Sequence, residues 1–492
     1  MAIFKNKVLI LLIITLLSNV LGLLREIILT KNYGTSATND NIILAQIVPI
    51  MILGFTLFTF SSSYISFYNK NKNHYSSSNI NTSSVMIVVL SVLIVLLGYY
   101  PFIDDVYKLF FNVIPDHNLI VLTELFLLVT IFLALTTIPM AYLQINNKFY
   151  VANISNMIIV NLIVIIFLLT YKSVYSFPVG YGIGTFISFI IITAYSFKCG
   201  FIVNPIEKYN KRLSLEFLSL SSAIMTVNIV NQIFNVIDRL IASQLDTGIV
   251  TAVYLSNRLV NIIIMIVVTP LLTVFFPKLS KYHFENNNLE FYTTVKNIIS
   301  LIMITTLPLS IFIFINANSV IYVLFERGTF TNKDTILTAN ILKVYSLSIV
   351  LWCLREILSK IFISQYKYKA ILFNTIILAF LNIIFGLIFI NIFGELGIPL
   401  SSGIALLLTN FILLYLMYYK DSNNINFSFL KNPNELWKFI VLCLLTIFIF
   451  IFVETFFNSV MSLFVNGFVL LILYFIFFKI NIFSIQTVFR RL

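Results

Sequence analysis

The residues in this sequence with chemistry to do are charged side chains set inside apolar runs. From Val8 to Thr30 the chain is apolar apart from Thr15, Ser18, Asn19 and the adjacent pair Arg25–Glu26. An ionised side chain at the centre of a bilayer costs roughly 2.5–3.5 kcal/mol, so such residues face a cavity or a partner. Two readings of the pair stand. Either it snorkels to the interface from the outer end of a span, or Arg25 faces an aqueous cavity and binds an anionic group. Helix neighbours lie about 100° apart, so Arg25 and Glu26 are not expected to point at one spot. Glu26 is then expected to orient or neutralise a cation on another helix. Asp238–Arg239 and Arg258 are similarly placed further on. A guanidinium binds phosphate bidentately, so Arg25 and Arg258 facing one cavity suit a diphosphate. Arg239 either pairs with Asp238 or reaches the interface. A later run holds Lys343, Arg355, Glu356 and Lys360. Lys360 is expected at the interface, and Arg355–Glu356 is expected to be a structural pair. Asp40 is the only acid between Tyr33 and Asn41. It reads equally as a gate that accepts bonds from the turn Leu245–Ala252, which carries Asp246, or as the N-cap of the following span. Cys199, Cys353 and Cys443 are far apart, and His74, His117 and His283 fall in expected loops, so no metal or redox spacing is present.

The elements that position these charges follow from composition. Hydrophobic residues make up 60% of the 492 and charged residues 10%, against roughly 25% charged in a soluble domain. Mean hydropathy is +1.00. A spanning helix needs about 20 mostly apolar residues. That ruler gives fourteen candidates, near 8–30, 41–67, 84–100, 120–143, 152–171, 179–197, 215–243, 250–276, 297–324, 335–362, 371–392, 398–419, 437–456 and 459–478. The first lacks a small-residue cleavage site and is read as a retained span rather than a signal peptide. With the N-terminus inside, 20 of the 31 lysines and arginines fall on the cytoplasmic side, five outside and six within spans. Both termini are therefore expected in the cytoplasm. The net charge of +12 reflects this topology and anionic headgroups, with no need for nucleic acid. Connecting stretches of about 20 residues or fewer exclude a folded extramembrane catalytic domain.

Residues 144–161 and 365–382 align without a gap at Gln144/Gln365, Lys148/Lys369, Asn153/Asn374 and Asn161/Asn382. Both stretches run from a cytoplasmic loop into the fifth span of a six-span unit. Parallel six-span halves are a known transporter plan. The expected organisation is an all-α polytopic membrane protein with halves 1–214 and 215–436 and two further helices in 437–492. The repeat places Asp238 near the counterpart of Glu26.

Three stretches carry a resemblance. "SNVLGLLREIILTKNYGTSATNDNIILAQIVP" (Ser18–Pro49), the run from Ile237 to Tyr282 with Arg258–Leu259, and "LFERGTFTNKDTILTANILKVYSLSIV" resemble the MurJ/MviN flippases of the multidrug/oligosaccharidyl-lipid/polysaccharide exporter superfamily. The resemblance spans most of residues 10–390. It implies a flippase that moves a polyprenyl-diphosphate-linked saccharide, lipid II being the favoured type, from the inner to the outer leaflet of the cytoplasmic membrane by alternating access. It places Arg25, Glu26 and Arg258 around the substrate and Asp40 at the outer gate. It implies no enzymatic activity and no cofactor, a lipid-linked saccharide diphosphate and the phospholipid bilayer as partners, a monomer, and drive from the membrane potential. A sodium site in this family would use Asp238 and Asn374, but Leu378 stands where an acid is expected, which weakens the case for sodium coupling. Asn19 and Leu53–Gly54 stand where members carry further arginines, leaving the saccharide open. An O-antigen or capsule-unit flippase is the alternative; a drug–cation antiporter would need acids not accompanied by arginines.

Overall fold

The computed structural model describes residues 2–53, 59–111, 115–146, 148–205, 208–420, 433–456 and 459–479. Gly54, the segment 421–432 and the residues after 479 lie outside these. Regular structure among the described residues is helical throughout. A bilayer leaves a spanning chain few alternatives, because its backbone must satisfy its own hydrogen bonds.

The chain forms two compact units, Met1–Thr251 and Ala252–Leu492. The first begins with α1 (Ala2–Tyr33), α2 (Ala37–Ala45), α3 (Ile47–Leu53), α4 (Thr59–Asn71), α5 (Ser77–Tyr99) and α6 (Ile103–Phe111). It continues with α7 (His117–Ile145), α8 (Phe149–Asn153), a π-helical segment Ile154–Ile159, α9 (Val160–Thr170), α10 (Ser176–Lys198) and α11 (Lys211–Ala242). Polar caps start several of these. The Asp116 carboxylate accepts from Leu119 N–H at 2.8 Å to open α7, and Asn210 accepts from Arg212 and Leu213 N–H to open α11.

Among the described residues, eight segments are long and apolar enough to cross a membrane, and a ninth is a helix pair bent by 45°. One of the eight, 368–417, holds two helices in 50 residues. The expected second span is interrupted near its start, where α2 ends at Ala45 and α3 begins at Ile47. The expected seventh is the continuous 32-residue α11. Although the sequence assigns α11 to the second half, its start packs in the first unit. The Phe217 ring lies 5.7 Å from Phe60 and 5.2 Å from Phe67, and Lys70 Nζ meets Glu216 Oε1 at 2.7 Å.

Helix α10 approaches α9 through glycine. A Cβ on Gly180 would stand 2.8 Å from Phe167 Cβ, and one on Gly184 3.1 Å from Val160 Cα. Glycines four apart lie on one helix face, so this is the small-xxx-small contact of membrane helices.

The second unit comprises α12 (Ile249–Phe284, whose first turn closes the first unit), α13 (Asn288–Phe325), α14 (Asn332–Leu347), α15 (Ile349–Ser364), α16 (Tyr368–Phe393), α17 (Gly397–Lys420), α18 (Pro433–Phe456) and α19 (Ser459–Lys479). The last helix is tied to α13 by polar bonds, Asn466 Nδ2 to Asn316 Oδ1 at 2.8 Å and Tyr474 O–H to the Thr305 carbonyl at 2.6 Å.

Gly184→Val inserts a branched side chain against the α9 backbone, where overpacking typically costs about 1–3 kcal/mol. The purified variant is expected to melt several degrees below the parent in detergent, whereas Gly98→Ala, which meets nothing within 4 Å, should leave the melting temperature unchanged.

Candidate functional site

Arg25 lies two-thirds of the way along α1, on a face that packs against the π-helical segment and α9. Its guanidinium is enclosed: Nη2 and Nε donate to Glu26 Oε1 at 2.7 and 3.3 Å, and Nη1 donates to Asn161 Oδ1 at 3.2 Å. The Phe177 ring of α10 lies under it, 5.0 Å from ring centroid to Cζ. The side chains of Arg25 and Glu26 keep only 14% and 2% of their surface exposed. The pair therefore does not snorkel to the interface. Nor does the angle between helix neighbours keep the two apart. The long arginine stem swings the guanidinium around α1 onto the adjacent carboxylate, so Glu26 accepts from Arg25 itself.

Asn161 is held in turn. Its Nδ2 donates to the Met157 carbonyl at 2.6 Å, inside the π-helical segment, and Ser18 Oγ reaches the same carbonyl at 3.5 Å. A π-turn widens the helix by one residue and shifts the following side chains around the axis. The π-segment ends two residues before Asn161, so it helps to set the angle at which the amide meets Arg25. Sequence reasoning marked Asn161 only as a repeat position and passed over Phe177.

Asp40 is 6% exposed. Its Oδ2 accepts from Gly248 N–H at 2.5 Å, and its Oδ1 accepts from Thr251 N–H at 2.8 Å and Thr251 O–H at 2.6 Å. It does not cap its own helix, because the N-cap of α2 is Ser36 and Asp40 already lies inside the first turn. The carboxylate instead satisfies free N–H groups at the start of α12, the donors every helix N-terminus leaves over. Gly248 holds φ +93°, and a Cβ there would stand 2.5 Å from the Thr35 carbonyl oxygen. Only glycine lets the two loops approach this closely. Asp246 in that turn is exposed.

Asp238 is buried and Arg239 half-buried near the end of α11. In the second unit Arg355 is 6% exposed, and the hydrogen bonds of its guanidinium go to neighbours other than Glu356, whose charge acts on it without a direct contact. Nη1 donates to Asn374 Oδ1 at 2.8 Å and Nη2 to Thr375 Oγ1 at 3.0 Å, while Asn374 Nδ2 donates to the Thr409 carbonyl at 2.9 Å. On a helix adjacent residues face different directions, and α16 offers these neutral acceptors on the face Arg355 meets. Asn374 thus spends its carbonyl oxygen on a guanidinium cation.

Arg258 on α12 differs from both. It is half-buried, its Nε is buried, and its guanidinium has no hydrogen-bonding or ionic partner among the described residues. Burying an N–H without an acceptor costs about 1–3 kcal/mol, more when the group is charged. A guanidinium left in that state is matched by an anion with several oxygens.

The model of the family described as "Lipid II flippase MurJ" matches residues 29–475. A protein named probable lipid II flippase MurJ from Buchnera aphidicola subsp. Acyrthosiphon pisum is 26% identical over 500 residues, covering 96% of each chain. One of the same name from Thermotoga maritima is 25% identical over 80% of each. Among solved structures, a lipid II flippase MurJ in an inward closed conformation superposes with a TM-score of 0.79 at 22% identity, covering 95% of this chain and 98% of its own. An inward-facing multidrug resistance transporter of the MATE family shares the fold at a TM-score of 0.69 and 13% identity, over 82% and 95%.

The Arg355 network yields a direct test. Asn374→Leu removes the acceptor and leaves a buried guanidinium short of a partner, which is expected to lower the melting temperature markedly, by about 1–3 kcal/mol of stability. Arg355→Met in the Asn374→Leu background should recover part of the loss, since removing both partners is milder than orphaning one. If Asn374 instead served a bound sodium ion, added sodium would raise the melting temperature of the parent and not of Asn374→Leu.

Proposed function

The chain belongs to the lipid II flippase MurJ family, and we propose that it moves a polyprenyl-diphosphate-linked saccharide of the lipid II type from the inner to the outer leaflet of the cytoplasmic membrane. The observation that carries the reading is Arg258, a cation with a buried N–H and no acceptor among the described residues, whereas the enclosed guanidiniums of Arg25 and Arg355 are hydrogen-bonded. Two phosphates supply the acceptors that it lacks, and their charge is what a guanidinium fork recognises.

Arg25 is a further phosphate-binding residue, with Glu26 and Asn161 holding its guanidinium while no substrate is bound. The polyprenyl tail stays in lipid while the headgroup crosses. The carboxylate of Asp40 acts as an outer latch: bonded to the Gly248–Thr251 turn it holds the outer ends together, and its release opens them. Both termini face the cytoplasm, the chain works as a monomer, and it performs transport without covalent chemistry. An inside-negative potential favours outward movement of an anion by about 2.3 kcal/mol per charge per 100 mV, so the potential drives the cycle.

Expression of the chain is expected to restore growth to a bacterial strain depleted of its own lipid II flippase. Arg258→Ala should abolish that rescue at near-parental protein levels, because the side chain holds nothing else in place. Rescue of O-antigen or capsule export alone, with no rescue of growth, would assign a different saccharide. Full rescue by Arg258→Ala would remove Arg258 from the substrate path.

A further inference from the structure

Helix α15 ends in a turn that an unusual residue occupies. Tyr366 N–H donates to the Ile363 carbonyl and Lys367 N–H to the Phe362 carbonyl, both at 3.0 Å. These bonds make a Schellman turn, whose left-handed position glycine normally fills. Tyr366 fills it here at φ +59°, a conformation that a bulky side chain keeps only where its surroundings fix it. The turn borders a cavity of about 470 Å³ lined by Phe362, Tyr366, Lys367, Tyr368, Lys369 and Leu416 among others. Among the described residues, no acidic side chain lines it. Lys367 Nζ lies 5.8 Å from the Phe362 ring centroid. Lys369 is exposed and has no hydrogen-bonding, ionic or ring partner among the described residues.

The internal repeat makes the contrast informative. Lys148, the counterpart of Lys369, is already occupied: its Nζ is 3.4 Å from Cys199 Sγ and 5.8 Å from the Tyr195 ring centroid. The second half leaves the equivalent cation open and places a second lysine and two tyrosines around it.

An apolar track begins one turn beyond Lys369. Phe373, Ile376, Phe380, Ile383 and Leu387 on α16 are all exposed, at 63%, 46%, 63%, 39% and 46%. Their spacing of three and four residues puts them on one face of the helix. A cationic cavity rimmed by tyrosines and continuing into an apolar stripe matches an amphipathic anion. Tyrosine and lysine at the ends of spans mark the headgroup level, and the positive-inside count puts this end of α16 on the cytoplasmic side.

We propose that this cavity binds the phosphate of an acidic lipid headgroup in the inner leaflet, with the hydrocarbon chain laid along the exposed stripe of α16. The phosphate accepts from Lys367 and Lys369 while the tyrosine rings cover its glycerol or prenyl stem. The same chemistry is offered by an anionic phospholipid of the bilayer and by a polyprenyl phosphate. The inference rests on the membrane topology and does not depend on which saccharide is transported.

The test uses the full chain purified in detergent, with melting temperature read against added phosphatidylglycerol, phosphatidylcholine, undecaprenyl phosphate or inorganic phosphate. Phosphatidylglycerol is expected to raise the melting temperature more than phosphatidylcholine. Lys369→Gln, an exposed change that leaves the turn intact, should shift the midpoint of that titration by roughly fivefold, and Lys367→Gln/Lys369→Gln by the product of two such factors. Lys148→Gln should leave it unchanged. Loss of the undecaprenyl phosphate response alone would assign the site to a polyprenyl lipid, and equal loss of both responses to any acidic lipid phosphate. Parental titrations in both lysine variants would overturn the proposal. So would a full response to inorganic phosphate alone, since the site would then need no lipid.

Discussion

The bilayer interior offers no hydrogen bonds, so every guanidinium placed there must find its acceptors within the protein or in a ligand. That constraint orders this structure. Arg25 finds a carboxylate on its own helix and an amide on the next. Arg355 finds an amide and a hydroxyl with no carboxylate at hydrogen-bonding distance. Arg258 finds none among the described residues, and its Nε is buried. The first two arrangements hold helices together. The third leaves its donors without an acceptor among the described residues.

Much of the local geometry serves to hold the acceptors in place. The π-helical segment precedes Asn161 and supplies the carbonyl that orients its amide. Gly180 and Gly184 let α10 close on α9, and the same helix carries Phe177 under the Arg25 guanidinium. Beyond the end of α1, Gly248 lets its turn approach Thr35 so that the Asp40 carboxylate reaches two backbone N–H groups and a hydroxyl. In each case a backbone irregularity gives a polar side chain its partner.

The helical class, most of the span positions and the identity of the buried charges were legible in the sequence, because apolar length and stray charge are local signals. Partner choice was not. Arg355 and Glu356 are adjacent in sequence and suggested a pair, yet Arg355 turns to Asn374 and Thr375, a choice that depends on how α15 meets α16. Arg25 and Glu26 were expected to diverge, but arginine's reach overrides the helical angle between them. The α11 helix was assigned to the second half by the repeat, whereas packing of Phe217 against Phe60 and Phe67 ties its start to the first unit. Asp40 left a cap and a gate equally open from sequence. Its bonds to Gly248 and Thr251 form across more than 200 positions, a distance no local pattern reports.

The central claim is that Arg258 is left unsatisfied in order to meet a diphosphate. Its most direct test is the affinity of the purified chain for lipid II, measured beside thermal stability for the parent and Arg258→Gln. The account predicts binding weaker by about tenfold or more, as expected for losing a charge-assisted contact of about 1.5–3 kcal/mol, with a melting temperature unchanged or raised because an orphaned buried cation has been removed. Unchanged affinity together with a lowered melting temperature would contradict it, and would make Arg258 one more structural arginine.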